Sequence, residues 1–390
     1  MLFLCGNEYK KEERRMRLHL EITGICNLHC VCCYNASYNT PDAIKNELSF
    51  CEWAKIIDEA NRMGCRRYTI SGGEPFLAPW LLKLVKCCQA PTIVFTNATM
   101  ITAATVAMLE EIPMLKGLRI SLDGLDAHDK YRLGSRGVDV INIIWLFVGS
   151  RLTVGVTTML SSEILQELMA IYEILRELSI EHWRLDLPFL AGRYQAVVGQ
   201  FKQGSFEEVV VACRNMISVY LGDGKPFHLG IANMYKSQIA DMPYGEFDLE
   251  IHPCSYDDVI CIKPNGDITV CAAYNLVLGN VREFETLEDA IRKAKSHAFY
   301  AIKIKDINQC FDCRYLKLCG AGCRADAFYL KGSDTLPDPV CCSLWPLVET
   351  EIFPILPDNE KQSMVKLVNK QGGMPERFEK IDDIVPKKIK

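Results

Sequence analysis

No apolar run in the 390 residues approaches the roughly 20 needed to cross a bilayer, which excludes a helical membrane protein. Neither sign of charge dominates. Lys and Arg number 44 against 49 Asp and Glu, a formal net charge of -5, so no broad basic field is available to hold nucleic acid. The locally basic end, VPKKIK, reads as a solvated tail. A secretory signal is missing too: the opening MLFLCGNEYKKEERRMR carries its charges after its apolar residues, the reverse of an export signal, and this points to the cytoplasm. No repeat of about 20 to 50 residues and no low-complexity segment occurs, which excludes solenoids and fibrous arrays.

What is present is a hydrophobic content of 49%, ample for a core, in a chain longer than most single domains, so two domains are expected. Cysteine is abundant at 19 residues. In a small secreted scaffold such a number would mean disulfides, but a long chain without an export signal more often uses clustered thiols as metal ligands. Thiolate is a soft donor suited to zinc and to iron-sulfur centres.

From residue 17 to about 190, short β-rich runs alternate with helical patterns. RLHLEIT, RRYTIS, TIVFTN, LRISLD, LTVGVTT and HWRLDL are six strand candidates, and stretches such as SFCEWAKIIDEANRM and SEILQELMAIYEILREL between them repeat apolar residues at helical spacing. This alternation predicts an α/β fold with a parallel sheet, and six units suit an open, partial (β/α)6 barrel of TIM-like design. After about residue 235 the alternation stops, and Cys, Gly, Asp and Pro take over, a composition that needs cross-links. The expected division is an N-terminal extension over 1–16, the partial barrel over 17–235, a cysteine-rich domain over 236–350 and a tail over 351–390, read as a short helix and a mobile end.

The loop leaving the first strand, EITGICNLHCVCCYN, holds Cys26, Cys30 and Cys33 in a CxxxCxxC pattern, with Cys32 outside that register. Three thiolates at this spacing can wrap one [4Fe-4S] cluster and leave its fourth iron open. A structural zinc site normally wants four protein ligands, and His29 does not stand at a usual finger spacing. The motif and the aromatic Tyr34 that follows it resemble the radical S-adenosylmethionine (SAM) superfamily. In that family the open iron binds the cofactor's amino and carboxylate groups, and an electron from the cluster cleaves it to methionine and a 5'-deoxyadenosyl radical that takes a hydrogen atom from the substrate. Further family features fall at successive strand ends. SGGEP supplies Gly72, Gly73 and Glu74; the glycines permit close backbone approach and Glu74 can pair with an ammonium group. TNAT supplies Asn97, SLDG supplies Ser121 and Asp123, and AHDKYR supplies His128 and Arg132. The resemblance implies that Tyr34, Gly72, Gly73, Glu74, Asn97, Ser121, Asp123 and Arg132 line the S-adenosylmethionine site. Helix caps or turn formers are the plainer reading of Asn97 and Asp123.

The second region spells CFDCRYLKLCGAGC, a Cx2Cx5Cx3C pattern made of Cys310, Cys313, Cys319 and Cys323, preceded by Cys254, Cys261 and a Gx4C element, Gly266 to Cys271, and followed by Cys341 and Cys342. This order resembles the SPASM domain, a C-terminal extension of certain radical SAM enzymes that holds two auxiliary [4Fe-4S] clusters. The family's interleaved ligation implies Cys254, Cys261, Cys271 and Cys323 for one cluster, and Cys310, Cys313, Cys319 and Cys341, preferred over its neighbour Cys342, for the other. Zinc accepts four thiolates equally; iron is favoured because the first domain needs an electron route. Cys51, Cys65, Cys87, Cys88 and Cys213 read as core packing. In the sixth strand His182, Arg184 and Asp186 share one face, with a salt bridge or a substrate contact as alternative roles for Arg184 and Asp186.

Taken together, these resemblances imply an enzyme with three [4Fe-4S] clusters that oxidatively modifies a ribosomally made peptide or protein, by a thioether or carbon-carbon cross-link or a side-chain oxidation. The implied partners are a precursor peptide, a reductant such as flavodoxin or ferredoxin, and a separate leader-binding protein, since only about sixteen residues precede the first strand. Two other classes are weighed. Anaerobic sulfatase-maturing enzymes resemble this chain but place an Asp after the cysteine of the Gx4C element, where Ala272 stands. A non-catalytic iron-sulfur or zinc scaffold is opposed by the complete CxxxCxxC and SGGEP sets. No residue pattern marks a catalytic base.

Overall fold

The computed structural model describes residues 16–35, 38–197, 204–237, 248–254 and 258–384. Cys5, nearly all of the expected N-terminal extension and the VPKKIK run lie outside the described residues. All six strand candidates form: β1 (Arg17–Glu21), β2 (Arg67–Ser71), β3 (Thr92–Thr96), β4 (Leu115–Ser121), β5 (Thr153–Met159) and β6 (His182–Asp186). They pair in parallel in chain order. Helices fill the crossovers, and their starts are set locally. The Ser49 hydroxyl accepts from the Glu52 backbone, and Glu52 reaches back to the Ser49 backbone, at the head of helix Phe50–Arg62. Ser161 caps helix Ser162–Glu177.

Period-2 alternation decides which side of the sheet each residue serves. Leu18, Leu20, Tyr68, Ile70, Leu118, Ile120, Trp183 and Leu185 enter one core with Trp53, Ile57, Leu168 and Tyr172 of the helices. The opposite alternates, among them His19, Glu21, Arg119, His182, Arg184 and Asp186, face the concave side. Of the cysteines expected in the core, Cys65, Cys88 and Cys213 are buried and Cys87 is half-buried, but Cys51 is exposed. It is the second residue of its helix, on the face away from Trp53 and Ile57.

The sheet continues past the six expected strands. β7 (His228–Ile231) adds in parallel to β6, and β8 (Tyr235–Lys236) folds back against it. Four residues with a central Gly are too short a run for the alternation to announce β7. At the other edge the cysteine-rich region supplies β9 (Val259–Ile262), parallel to β1, and the antiparallel β10 (Asp267–Thr269) and β11 (Val277–Asn280). The full order is β11-β10-β9-β1-β2-β3-β4-β5-β6-β7-β8. The molecule is therefore α/β, an open parallel barrel-like sheet with a cysteine-rich C-terminal region. No pairing among the described residues joins β8 to β11. An ion pair pins the β1–β9 seam, Arg17 Nε and Nη2 donating to Asp258 at 2.8 and 2.6 Å.

In the expected tail over 351–390 the short helix is present, and the chain beyond it keeps contact with the cysteine-rich region. Helix Asp358–Leu367 buries Glu360 against the Lys225 ammonium and the Tyr235 hydroxyl, the latter at 3.3 Å. Beyond it the backbone runs along residues 312–314: Gly373 N donates to Asp312 O (2.8 Å), Arg314 N to Gly373 O (2.9 Å) and Asn369 N to Arg314 O (2.9 Å).

Candidate active site

The cysteine loop leaves the end of β1 and is clasped from two sides. Gly73 N donates to Thr23 O (2.6 Å) and Glu74 N to Ile25 O (2.8 Å), which presses the SGGEP loop onto the stem of the cysteine loop. This approach explains the two glycines. A Cβ on Gly73 would stand 2.2 Å from Ile25 O, and one on Gly72, whose φ is +146°, would stand 2.4 Å from Thr23 O. From the other side, Arg193 of the loop after β6 donates its Nη1 to Cys30 O (2.7 Å) and its backbone N to Cys33 O (2.9 Å). Sequence reading passed over Arg193, although it ends the HWRLDLPFLAGR run already singled out.

The polar residues at the strand ends gather around these thiols. Asn97 donates its Nδ2 to Asn27 Oδ1 at 3.0 Å and stands 3.9 Å from Cys26 Sγ, while its Oδ1 accepts from Thr99 N. It is thus a turn former and a neighbour of the cysteine loop at once. Arg132 Nη1 stands 3.9 Å from Cys30 Sγ. Asp123 is fully buried and holds that guanidinium through Nε at 2.6 Å, with Met159 N on its other oxygen at 2.8 Å, so it acts on the site through Arg132. His128 accepts from Asp123 N at its Nδ1 and is 3.0 Å from Ser135 Oγ at its Nε2. Burial, with Arg132 beside it, lowers its pKa to about 4. Ser121 ends β4 half-buried.

Glu74 meets a different partner set from the one its charge suggested. Its carboxylate, 0% exposed, accepts from Phe76 N (3.1 Å), Thr96 Oγ1 (2.8 Å) and Asn97 N (2.7 Å). It ties the loop after β2 to the loop after β3. Tyr34 turns its hydroxyl down to Glu21 Oε1 at 3.3 Å, and Arg184 pairs along its own strand with Asp186 at 2.5 Å.

The half-buried thiols of Cys26, Cys30 and Cys33 lie on one loop with cationic and amide donors around them, a donor set that fits a cluster bound through thiolates. Burial pushes the Cys26 thiol up to about 11, so ionisation there waits on a bound cation.

In the C-terminal region one cavity is lined by Cys310, Cys313, Cys319, Cys341 and Cys342 together with Tyr315 and Pro375, a set that again fits a thiolate-held cluster. Cys341 and Cys342 both line this cavity, Cys341 buried and Cys342 half-buried, and both neighbour Cys319 and Asp338. For the other set, burial above all, then Asp326, Asp338 and Cys271, push the Cys323 thiol up, and Cys254 is half-buried. Cys261 lies on β9, in register with His19 and paired with Thr269 of β10, and the ligand atoms of His19, Glu21 and Cys261 lie within 4.8 Å of one another. The Lys263 ammonium, 3.0 Å from Glu21 and 0% exposed, balances the carboxylate's charge in the same seam.

Two family models match this architecture. The radical SAM superfamily model covers residues 20–183, and the iron-sulfur cluster-binding SPASM domain covers residues 254–314. The chain carries a radical SAM domain followed by a SPASM domain. Among curated relatives it is similar to an AdoMet-dependent heme synthase of Methanosarcina barkeri, 24% identical over 346 residues that make up 82% of this chain and 94% of the relative. An Fe-coproporphyrin III synthase of the same organism is 24% identical, covering 82% of this chain and 86% of that one. Among solved structures, SuiB of Streptococcus suis bound to S-adenosylmethionine matches with a TM-score of 0.64 at 20% identity, covering 84% of this chain and 77% of SuiB. The anSMEcpe protein with bound AdoMet matches with a TM-score of 0.67 at 16% identity, covering 90% of this chain and 98% of that one. No helix among the described residues is long and apolar enough to cross a membrane.

Proposed function

We propose that this radical SAM enzyme oxidatively modifies a ribosomally made peptide or protein, with two auxiliary clusters in its SPASM domain. The observation that carries the catalytic part is the convergence of Cys26, Cys30 and Cys33 with Asn97 and Arg132 at one end of the parallel strands, where barrel-like sheets place their chemistry. When bound, the cluster of that loop supplies the electron that splits S-adenosylmethionine into methionine and a 5'-deoxyadenosyl radical. Arg132 and Asn97 present donors beside the cysteine sulfurs, Asp123 orients Arg132, and Glu74 with Gly72 and Gly73 fixes the loop against which the cofactor would lie. Tyr34 and Ser121 complete the proposed lining. The proposed auxiliary ligands are Cys254, Cys261, Cys271 and Cys323 for one cluster, and Cys310, Cys313, Cys319 and Cys341, or its neighbour Cys342, for the other.

Peptide modification is supported by the fold shared with SuiB, which has also been solved bound to its precursor peptide SuiA and matches there with a TM-score of 0.63. A second reading, chemistry on a tetrapyrrole, is supported by similarity to the heme synthase along most of both chains. Formylglycine formation is opposed at one position. Ala272 offers no carboxylate, and its carbonyl accepts from Lys263 Nζ at 2.7 Å. If an Asp base is needed there, its loss removes a general-base contribution of about 10² to 10⁴-fold, and sulfatase-derived peptides should stay nearly untouched.

Anaerobic turnover followed by mass spectrometry tests these readings. With reductant and S-adenosylmethionine the enzyme should form 5'-deoxyadenosine, and a cognate precursor peptide should lose about two hydrogens per event, as removal of a hydrogen atom followed by an electron and a proton requires. S-adenosylmethionine-dependent conversion of an iron tetrapyrrole under the same conditions would replace the peptide reading with the second one. Comparable formylglycine formation on a sulfatase peptide would overturn the conclusion drawn from Ala272.

A further inference from the structure

The cysteines of the loop after β1 must present their sulfurs at a fixed spacing to hold one group, yet the turn from Cys30 to Cys33 closes loosely on itself. Cys33 N stands 3.4 Å from Cys30 O, longer than the usual N–H···O bond. The earlier part of the loop is held by its neighbours, His29 N donating to Leu133 O at 3.1 Å and Val31 N to Tyr131 O at 2.8 Å. The later part is gripped from the loop after β6. Arg193 donates its Nη1 to Cys30 O at 2.7 Å and its backbone N to Cys33 O at 2.9 Å, so one residue bonds the carbonyls of both cysteines that bound the turn. Burial pushes the Cys33 thiol up, and Arg193 is among the groups that pull it back. The two loops touch backbone to backbone: Gly192 has a φ of +60°, and a Cβ on it would stand 2.4 Å from Cys33 O and 2.5 Å from Tyr34 O. Behind this grip the chain is fixed. Tyr194 is 0% exposed, Ala196 N donates to Arg193 O at 3.0 Å, and Gln195 Nε2 donates to Leu190 O at 2.9 Å.

We propose that Arg193 is a positioning residue of the radical SAM site, which sets the spacing of Cys30 and Cys33 and holds a cation beside the cluster they bind. Groups that orient metal ligands from behind typically change metal affinity or activity by about 10- to 100-fold when they are removed. Arg suits this place because its charge is permanent and its planar fork loses little freedom on bonding a carbonyl. Hydrogen bonding and charge around the thiolates also tune a cluster's potential, and a cation favours the reduced, more negative form. A residue that only packed the loop after β6 against the sheet would leave that potential where it is. The inference rests on the assignment of a cluster to Cys26, Cys30 and Cys33.

The test compares the anaerobically reconstituted full chain with its Arg193→Met and Arg193→Lys variants, by chelator titration and by redox titration monitored by electron paramagnetic resonance. The signal missing from a variant with Cys26, Cys30 and Cys33 all replaced by Ala identifies the site. In Arg193→Met the chelator concentration that removes half of that site's iron should fall about 10- to 100-fold, and its potential should become more negative, with the auxiliary iron unchanged. Arg193→Lys keeps a cation and one donor and should recover part of both. A wild-type potential in Arg193→Met would overturn the proposal. Should that variant lose iron from every site, Gly192→Ala decides, since it lifts the loop from Cys33 O with the guanidinium retained: selective loss at the first site is expected, and any other result would overturn the proposal. Failure of the cluster assignment shows itself separately, as a triple Ala variant that keeps all its iron.

Discussion

At the scale of single residues, the site is built from side chains that act on one another before they act on anything bound. Asp123 touches Arg132, and Arg132 reaches Cys30. Asp123→Asn removes the anion from a buried guanidinium and should destabilise the fold by about 3 to 5 kcal/mol, read as a lower urea midpoint. Glu74→Ala should weaken S-adenosylmethionine binding while leaving the iron count unchanged, and Glu74→Gln should restore part of the affinity by keeping one acceptor for Asn97 N and Thr96. Equilibrium binding of the cofactor measures both. His128 gives a pH signature. Its folded pKa is lowered to about 4, so the unfolded imidazole takes up a proton near pH 6.5 while the folded one stays neutral. Stability is unaffected above about pH 7 and falls as pH drops from 6.5 toward 4, by up to about 1.4 kcal/mol per pH unit from this group. A difference curve between wild type and His128→Gln should show that slope, and parallel curves would remove His128 from the account.

At the scale of elements, legibility followed the length and regularity of each pattern. Six strands, the crossover helices and the cysteine loop were plain in the sequence because alternation and thiol spacing are local properties. β7 and β9 were not, since a four-residue strand is recognised by the neighbour it finds, and β9 finds β1 across the whole first region. For the same reason Lys263 and Arg193 escaped notice: their partners, Glu21 and the Cys30 carbonyl, are remote in sequence. The loop spacing likewise could not choose between Cys341 and Cys342, which are neighbours on helix Pro339–Leu347 and line the same cavity. The turn at residues 369–373 carries a prediction at this level. It lies along residues 312–314, and Pro375 lines the cavity of Cys310, Cys313 and Cys319. Removing residues 369–390 should speed chelator-driven loss of the iron held there, about four atoms, without changing the rest; bleaching of the visible absorbance follows it.

On the scale of the whole molecule, three cubanes would bring about 12 iron to each anaerobically reconstituted chain. Replacing Cys26, Cys30 and Cys33 together by Ala should remove about four of them and end cofactor cleavage; stoichiometric zinc with little iron would sink the cluster assignment. The pairing of β9 with β1 has a consequence for how the protein is made. Arg17 and Asp258, which close that seam, are 241 residues apart. At a synthesis rate of about 5 to 20 residues per second, β1 leaves the ribosome roughly 12 to 48 s before the strand that will cover its outer edge exists. During that interval a hydrogen-bonding edge flanked by Leu18 and Leu20 stands open to any other nascent chain, so slower translation or a stall before residue 259 should send more of the product into aggregates.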